Sequence, residues 1–536
     1  MREYQETPFS DEEAAARQEA APQLDLHAML AELREDLPSG APPPPISRGD
    51  SWEHQRNAFA FARDKRGAML AMGMGTGKSK VVVDLLQNDE AAERVLITCP
   101  KAVIPTWPSQ FARWANYEWK ICCLDKGTSK KKQEAAREAL IWQRANRGRL
   151  AIVVNYESVW RPAIANILRA VQWDCIVADE SHKIKAPGGK ASFFLGRLAK
   201  QARRRLCLTG TPIPHSPIDI YPQYRFADRS VFDTTAAGFR ARYAIPDPVY
   251  PSRIIKWINL DDLRRRFQSI AFQCATEDVL DLPEAIHSVK LFSLSPKAAK
   301  AYAQLHASLE AEFEEGKVTP TTALVRLLRM QQLTSGWIRL DDADELTPVD
   351  SGKLEVLVEL AEDIEHSEPV VVFCRFRSDI ETVKEAARKS GRAFGELSGS
   401  RSDMAGNILP ERIHGETGYL FAVQIQSGGA GIDLTRSCYC VYFSVGYSFG
   451  DYSQSLARIL RPGQERAVRY FHIMASRTID VDLYRMLNRK DAAISELTGH
   501  RTASSLDHIL TNVVRPPSPK EVIRRMETGV SMDFRE

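Results

Sequence analysis

Two short stretches of the chain carry residue types that act on phosphate. The first is AMGMGTGKSK at 71–80. Gly73, Gly75 and Gly77, with Thr76 among them, suit a turn whose backbone N–H groups approach phosphate oxygens, and a helix starting there adds its dipole. Lys78 would reach the β- and γ-phosphates of a nucleoside triphosphate, and the Ser79 hydroxyl would ligate Mg²⁺. The string departs from G-x-x-x-x-G-K-[ST] at its first position, Met72, and a glycine-rich structural turn is its competing reading. The second stretch, DCIVADESHKIK, sets Asp179 and Glu180 at the end of an apolar run about 100 residues further on. A carboxylate at the C-terminal edge of a strand holds Mg²⁺, usually through water, and its neighbour can orient or deprotonate an attacking water. Alone, this is an acidic loop after a core strand. Paired with Lys78 and Ser79, it points to triphosphate hydrolysis, with Lys78, Asp179 and Glu180 catalytic and Ser79 and Asp179 on the metal.

Such residues need a scaffold that brings strand ends together. Nine apolar runs supply one: GAMLAM, RVLITC, LAIVVN, DCIVAD and RLCLTG before residue 215, then PVVVFC, YLFAVQI, CYCVYFS and VRYFHIM after 365. Continuous apolar runs alternating with longer polar segments suit parallel strands buried on both faces. Between the clusters, SPKAAKAYAQLHASLEAEFEEG and TTALVRLLRMQQL read as helices. The fold class expected is therefore α/β, in two lobes with parallel sheets joined by a helical connector. The first 50 residues stand apart. A helix over 10–36 with Ser10 as its cap leads into the proline run of LPSGAPPPPISRGD, as a docking arm or a disordered one.

The chain has 536 residues, 44% hydrophobic and 26% charged, which excludes wholesale disorder and fibrous folds. With 72 basic against 69 acidic residues, any nucleic-acid surface must be local. Lys130–Lys132, Arg203–Arg205 and Arg264–Arg266 are candidate clusters, each equally readable as a solvated charge run. No apolar run spans a bilayer and no secretory h-region opens the chain, so no membrane partner is expected and a cytoplasmic location is. None of the nine cysteines forms a C-x2-C pair, so no zinc ribbon is expected.

DESHKIKAP at 179–187 and MGMGTGKS at 72–79 resemble the acidic box and phosphate loop of the SWI/SNF-like branch of superfamily-two, DEAD/DEAH-type helicases and DNA translocases. That branch also lacks glycine at the loop's first position. Further strings follow in the family's order over residues 51–500. WEHQ places Gln55 as a candidate adenine contact, and LITCPKAVIPTWPSQFARW (96–114) puts Lys101 near a DNA-backbone groove. LTGTPI (208–213) resembles the motif linking nucleotide state to nucleic acid through Thr209 and Thr211. SGKLEVLVEL (351–360) resembles the opening of the second lobe, and SGGAGIDLT (427–435) implies Gly431 and Asp433 at the nucleotide. QSLARILRPGQ (454–464) resembles the family's last motif. Gln454, Arg458 and Arg461 fall at offsets that share one helix face, and the resemblance implies that the two arginines reach the γ-phosphate from the second lobe. FQCATEDVLDLPE departs from the family, with Cys274 and Ala275 where paired arginines are usual; their contact is missing or moved to Arg264–Arg266.

The resemblance implies two RecA-like lobes: an N-terminal arm and linker (1–50), lobe 1 (51–283), a helical connector (284–350), lobe 2 (351–499) and a tail (500–536). It implies an ATPase using ATP and Mg²⁺ that tracks nucleic acid, double-stranded DNA first, of the compact bacterial or phage type and nucleoid-associated if so. Three alternatives stay open: a strand-separating DNA or RNA helicase, an ATP-gated clamp, and a motor subunit whose protein partner docks on a terminal extension.

Overall fold

The computed structural model describes residues 48–248, 254–314, 320–339, 346–425 and 432–498. The helix expected over 10–36, the proline-rich linker and the tail after 500 lie outside the described residues.

Seven strands form the first sheet: β1 (Gly67–Met72), β2 (Arg94–Cys99), β3 (Trp119–Cys123), β4 (Arg149–Asn155), β5 (Trp173–Asp179), β6 (Ala202–Leu208) and β7 (Ala271–Cys274). Their order is β3-β4-β2-β5-β6-β1-β7, with every pair parallel. The second sheet holds β8 (Ala285–Phe292), β9 (Val370–Cys374), β10 (Ala393–Leu397), β11 (Tyr419–Gln424), β12 (Tyr439–Tyr442) and β13 (Val468–Ala475). Its order is β8-β13-β12-β9-β11-β10, again wholly parallel. These are two RecA-like lobes of α/β class. Helices on both faces explain the unbroken apolar runs: in β1, Leu70 packs into one core and Met69 into the opposite one, and both are fully buried.

Each of the nine runs is a strand. The segment 284–350, expected to be helical, opens instead with β8, which pairs along its whole length with β13 in the second sheet. AIHSVKLF is half-buried except at Leu291, which is exposed, and shows no apolar run, because an edge strand is covered less completely. Helices α3 (Pro296–Glu314) and α4 (Pro320–Thr334) follow where the helical pattern places them. Lys353 of SGKL is a packing residue. Its Nζ lies 2.9 Å from Asp480 and donates to the Phe443 carbonyl at 2.9 Å, with both ion-pair partners buried.

The lobes are apposed. A Cβ on Gly75 of the first would lie 2.7 Å from Pro462 Cδ of the second, and a Cβ on Gly450 would lie 3.0 Å from Pro214 Cβ. Residues bearing on phosphate chemistry sit at the C-terminal ends of the first sheet's strands, where α/β sheets bind ligands.

Candidate nucleotide site between the lobes

The phosphate loop joins β1 to helix α2 (Lys78–Gln87). Gly75 (φ +77°) and Gly77 (φ +83°) adopt the left-handed backbone that a Cβ penalises. Gly73 is needed for space, since a Cβ there would lie 2.2 Å from Thr276 Oγ1. The Met74 and Thr76 carbonyls are drawn outward, and that of Gly73 is held within the loop. Thr76 Oγ1 donates to Gly73 O (2.7 Å), Thr276 Oγ1 to Met74 O (3.0 Å) and Gln55 Nε2 to Thr76 O (3.0 Å), with His54 Nε2 also 2.8 Å from Thr76 O. Turning carbonyls away favours a concavity of N–H groups suited to an anion. Met72 is fully buried as the last residue of β1, so the first position of the motif does core packing.

Lys78 Nζ donates to the Met72 and Gly73 carbonyls, at 2.9 Å each. Burial lowers its pKa, opposed by the charges of Glu180 and Asp179. Ser79 is half-buried on the first turn of α2. Gln55, the expected adenine contact, spends its amide locally: Nε2 on the loop and Oε1 accepting from Trp52 N at 3.1 Å. That clasps the loop to helix α1 (Glu53–Arg63). His54 and Thr276 share this work and were not legible in advance, because both contacts are long-range in sequence.

Asp179 ends β5 and is buried, its carbonyl accepting from Tyr156 Oη at 2.7 Å. Glu180 has φ +53°, unusual for a residue with a Cβ and worth on the order of 1–3 kcal/mol of strain. The two carboxyls titrate as a pair. Burial and then the charge of Glu180 push Asp179 up, with Lys78 opposing. Burial also disfavours the Glu180 anion, but His182, Lys78 and Arg458 outweigh it and hold Glu180 well below the usual range. A buried carboxyl raised by a neighbouring anion is short of positive charge, and this donor set fits a hard divalent cation such as Mg²⁺.

The second lobe completes the site. Arg458 is buried, and its pKa is pushed down to about 10 by burial, with Glu180 opposing and Arg461 adding to the fall; it remains a cation at neutral pH. Gln454 Nε2 lies 3.5 Å from His182 Nε2, while His182 Nδ1 faces Glu180 Oε2 (3.3 Å) and Thr209 Oγ1 (3.3 Å). A Gln454 N–H donating to Nε2 leaves the ring proton on Nδ1, towards Glu180; this tautomer is assigned from the network. Thr211 N donates to Thr209 Oγ1 at 3.0 Å, joining the LTGTPI segment to the same chain.

One expectation is corrected. Gln454, Arg458 and Arg461 do not share a helix face, because helix α5 (Phe449–Leu456) stops before either arginine. Turns follow, with Arg458 N bonding Ser455 O and Ile459 N bonding Leu456 O. The Arg458 carbonyl is taken by Leu434 N at 3.0 Å, and Pro462 disfavours helix at the residue before it. Arg461 Nη1 donates to Ile432 O at 3.2 Å. Asp433 accepts from Thr435 N and Oγ1 (3.0 and 2.7 Å) and lies in the field of Arg458. Gly431 is outside the described residues.

The basic clusters divide. Arg203 pairs with Asp89 at 2.6 Å, Arg204 donates to Arg63 O and Arg205 to Ala227 O, so this run ties down the start of β6. Arg265 and Arg266 pair with Asp262 at 3.0 Å, and Arg264 lies 3.9 Å from Asp261. Lys132 is lowered by burial and then by the charge of Lys101, with Asp125 opposing and Arg161 adding to the fall, so three cations from separate segments share this region with one carboxylate.

A SNF2-related domain model matches residues 22–336, more than half of the chain. The chain belongs to the SNF2-related family. The helicase conserved C-terminal domain matches residues 352–463 of this SNF2-related ATPase. Protein p41 of Acyrthosiphon pisum secondary endosymbiont phage 1 is 26% identical, over 78% of this chain and 92% of that protein. Mouse DNA repair and recombination protein RAD54-like is 22% identical, over 88% of this chain and 70% of its own length. Chicken RAD54B is 21% identical over 82% of this chain, which spans only 53% of that protein. The solved Sulfolobus solfataricus SWI2/SNF2 ATPase core in complex with dsDNA matches at 18% identity, covering 89% of this chain and all of that one, with a TM-score of 0.39. In this SNF2-related ATPase the departing FQCATED stretch buttresses the phosphate loop: Gly73 N donates to Cys274 O at 2.8 Å, and Thr276 holds Met74. Among the described residues, no helix is long and apolar enough to cross a membrane.

Proposed function

We propose that this SNF2-related ATPase is a double-stranded DNA translocase whose lobes close on ATP·Mg²⁺ and reopen after hydrolysis. The observation that carries the reading is Arg458, a buried second-lobe cation in the field of Glu180 and Lys78 of the first lobe. A positive charge supplied from the far lobe stabilises charge developing on the transferred phosphoryl group only when the lobes are together. Hydrolysis thereby reports lobe position. Lys78 exchanges two backbone carbonyls for phosphate oxygens. Ser79 and Asp179 hold Mg²⁺, which when bound neutralises the phosphates, and Glu180 orients the attacking water with His182 behind it. Arg461 brings a second cation towards the γ-phosphate from the adjoining turn, and Gln454 reads the state of His182. Lys101, Lys132 and Arg161 are the proposed contacts to a nucleic-acid backbone, and contacts of that kind would make binding independent of sequence.

The choice of DNA draws support from relatives named for DNA repair and recombination. The test is steady-state ATP hydrolysis without polymer and with duplex DNA, single-stranded DNA or RNA, with Lys78→Ala as control. Stimulation by duplex that vanishes in the control supports the proposal. Stimulation by single strands or RNA alone overturns the substrate assignment.

A further inference from the structure

Glu180 keeps a backbone conformation that its own side chain disfavours, φ +53°, and a residue of that kind persists only where its surroundings over-determine it. Three hydrogen bonds hold it from both flanks. The Asp179 carbonyl on the N-terminal side accepts from Tyr156 Oη at 2.7 Å, and the Glu180 carbonyl accepts from Lys183 N at 2.9 Å. On the C-terminal side, Ser181 Oγ donates to Gln223 Oε1 at 2.7 Å. Gln223 lies on the helix Ile220–Ala227, which is seated on β6 where Cys207 Sγ donates to the Gln223 carbonyl at 3.6 Å. Its amide is fully engaged, because Nε2 donates both to the Pro212 carbonyl at 2.7 Å and to the Asp219 carbonyl at 2.8 Å. Two carbonyls at one end identify the nitrogen there, so the amide oxygen faces Ser181 and the hydroxyl is the donor.

Ser181 and Gln223 are both fully buried. Burying a hydroxyl and an amide costs desolvation that apolar side chains of the same shape avoid. What the pair adds is direction, since a satisfied buried network admits one arrangement of its members. That arrangement joins two functional segments. Ser181 stands between Glu180 and His182, and Pro212 belongs to LTGTPI. The far side of LTGTPI meets the second lobe, where a Cβ on Gly450 would lie 3.0 Å from Pro214 Cβ and 3.8 Å from Thr211 Oγ1. Gln223 therefore links the acidic box to the segment that touches the other lobe, although neither string contains it.

We propose that Gln223 is a positioning residue for ATP hydrolysis, which through Ser181 holds Glu180 in its left-handed conformation and ties it to LTGTPI. Without the bridge, Glu180 relaxes towards an ordinary backbone and its carboxylate swings away from the water it orients. Nucleotide binding at the phosphate loop does not involve the bridge, so the loss falls on turnover and not on affinity. The inference rests on the reading of Glu180 as the water-orienting group, and it is independent of the choice of polymer.

The experiment follows single-turnover ATP hydrolysis by excess full-length protein, with and without duplex DNA, and measures binding of a non-hydrolysable ATP analogue by equilibrium dialysis. Gln223→Leu and Ser181→Ala should each slow hydrolysis by about 10- to 100-fold, the scale of a small misplacement at a reacting centre. Affinity for the analogue should stay within about twofold of wild type. In a Glu180→Gln background neither change should slow the reaction further, because both act through Glu180; a merely structural role gives the same factor in both backgrounds. Folding is checked by circular dichroism and thermal melting. Ser181→Ala, which removes a single oxygen, carries the test if Gln223→Leu does not fold. Glu180→Gln hydrolysing as fast as wild type would remove the reading of Glu180 and the positioning role with it. A slow Glu180→Gln, beside folded Gln223→Leu and Ser181→Ala that keep the wild-type rate or slow both backgrounds equally, would overturn the positioning role alone.

Discussion

Gly75→Ala is a perturbation whose two effects can be separated. The backbone at Gly75 has φ +77°, and placing a Cβ there costs about 1–2 kcal/mol wherever the lobes are. The second effect exists only when the lobes meet. The new Cβ would stand 2.7 Å from Pro462 Cδ, a separation that real Cβ atoms essentially never show, so one lobe must withdraw. Coupling between contacting residues runs to about 0.5–3 kcal/mol. If all of it opposes closure, kcat falls by roughly 2- to 150-fold, at one decade per 1.36 kcal/mol. The assay is a double-mutant cycle on DNA-stimulated ATP hydrolysis with Pro462→Ala, which removes both the Cδ and the Cγ that the Cβ would approach. Pro462→Ala should restore most of the lost turnover and none of the lost melting temperature. If Gly75→Ala is equally damaging in both backgrounds, in kcat or in KM, then the phosphate loop and Pro462 do not meet during turnover and the reasoning fails.

Three further outcomes are expected. Arg458→Gln should lower kcat by about 10³-fold or more with little change in KM, as for an interaction made mainly in the transition state, and a proportionate rise in KM would place the arginine in ground-state binding instead. Burial lowers His287 to about 4 and His472 well below the ordinary value; His287 Nδ1 and His472 Nε2 are 3.1 Å apart, and His472 also contacts Tyr484 Oη at 3.0 Å. The unfolded chain therefore binds protons here that the folded chain refuses, and stability should fall as pH drops from about 6.5 towards 4, by about 1.4 kcal/mol per unit for each histidine. Urea midpoints between pH 6.5 and 5 should show a shallower slope in His287→Phe, and an unchanged slope would remove the pair as the cause. Lys353→Met strands Asp480 as an unpaired buried charge and should cost about 3–5 kcal/mol by chemical denaturation, largely regained in the Lys353→Met, Asp480→Leu double variant.

What could be read in advance followed burial. The nine runs recognised as strands include every interior strand of both sheets, where two covered faces force unbroken apolar sequence. Within these two sheets, the four strands without such a signal, β3, β7, β8 and β10, are the four edges. WKICC, AFQC, AIHSVKLF and AFGEL keep many half-buried positions, so their sequences carry polar residues and glycine. The site divides in a similar way. Lys78 and the Asp179–Glu180 pair are local strings whose chemistry is written in their spacing, and the structure brings them together. The end of helix α5 before Arg458 goes with a bond from Leu434, and the hydrogen bond of Gln55 to the phosphate loop depends on tertiary geometry. Neither is present in any local window. Arginine runs were the poorest guide, because an arginine beside Asp89 or Asp262 looks the same in sequence as one facing solvent.

The pairing of β8 with β13 sets a schedule for making the protein. His287 must wait for His472, 185 residues downstream, before its strand acquires a neighbour. At about 5–20 residues per second that interval is roughly 10 to 40 s, during which the first lobe can be complete while AIHSVKLF hangs beyond it as a bare edge. Such an edge is a template for the wrong partner, and Lys290 is its one lysine against that hazard. The boundary between the lobes in space is thus not a boundary in time. A fragment ending in the connector helices would carry a strand belonging to a sheet it cannot build, and one ending before Glu284 would not.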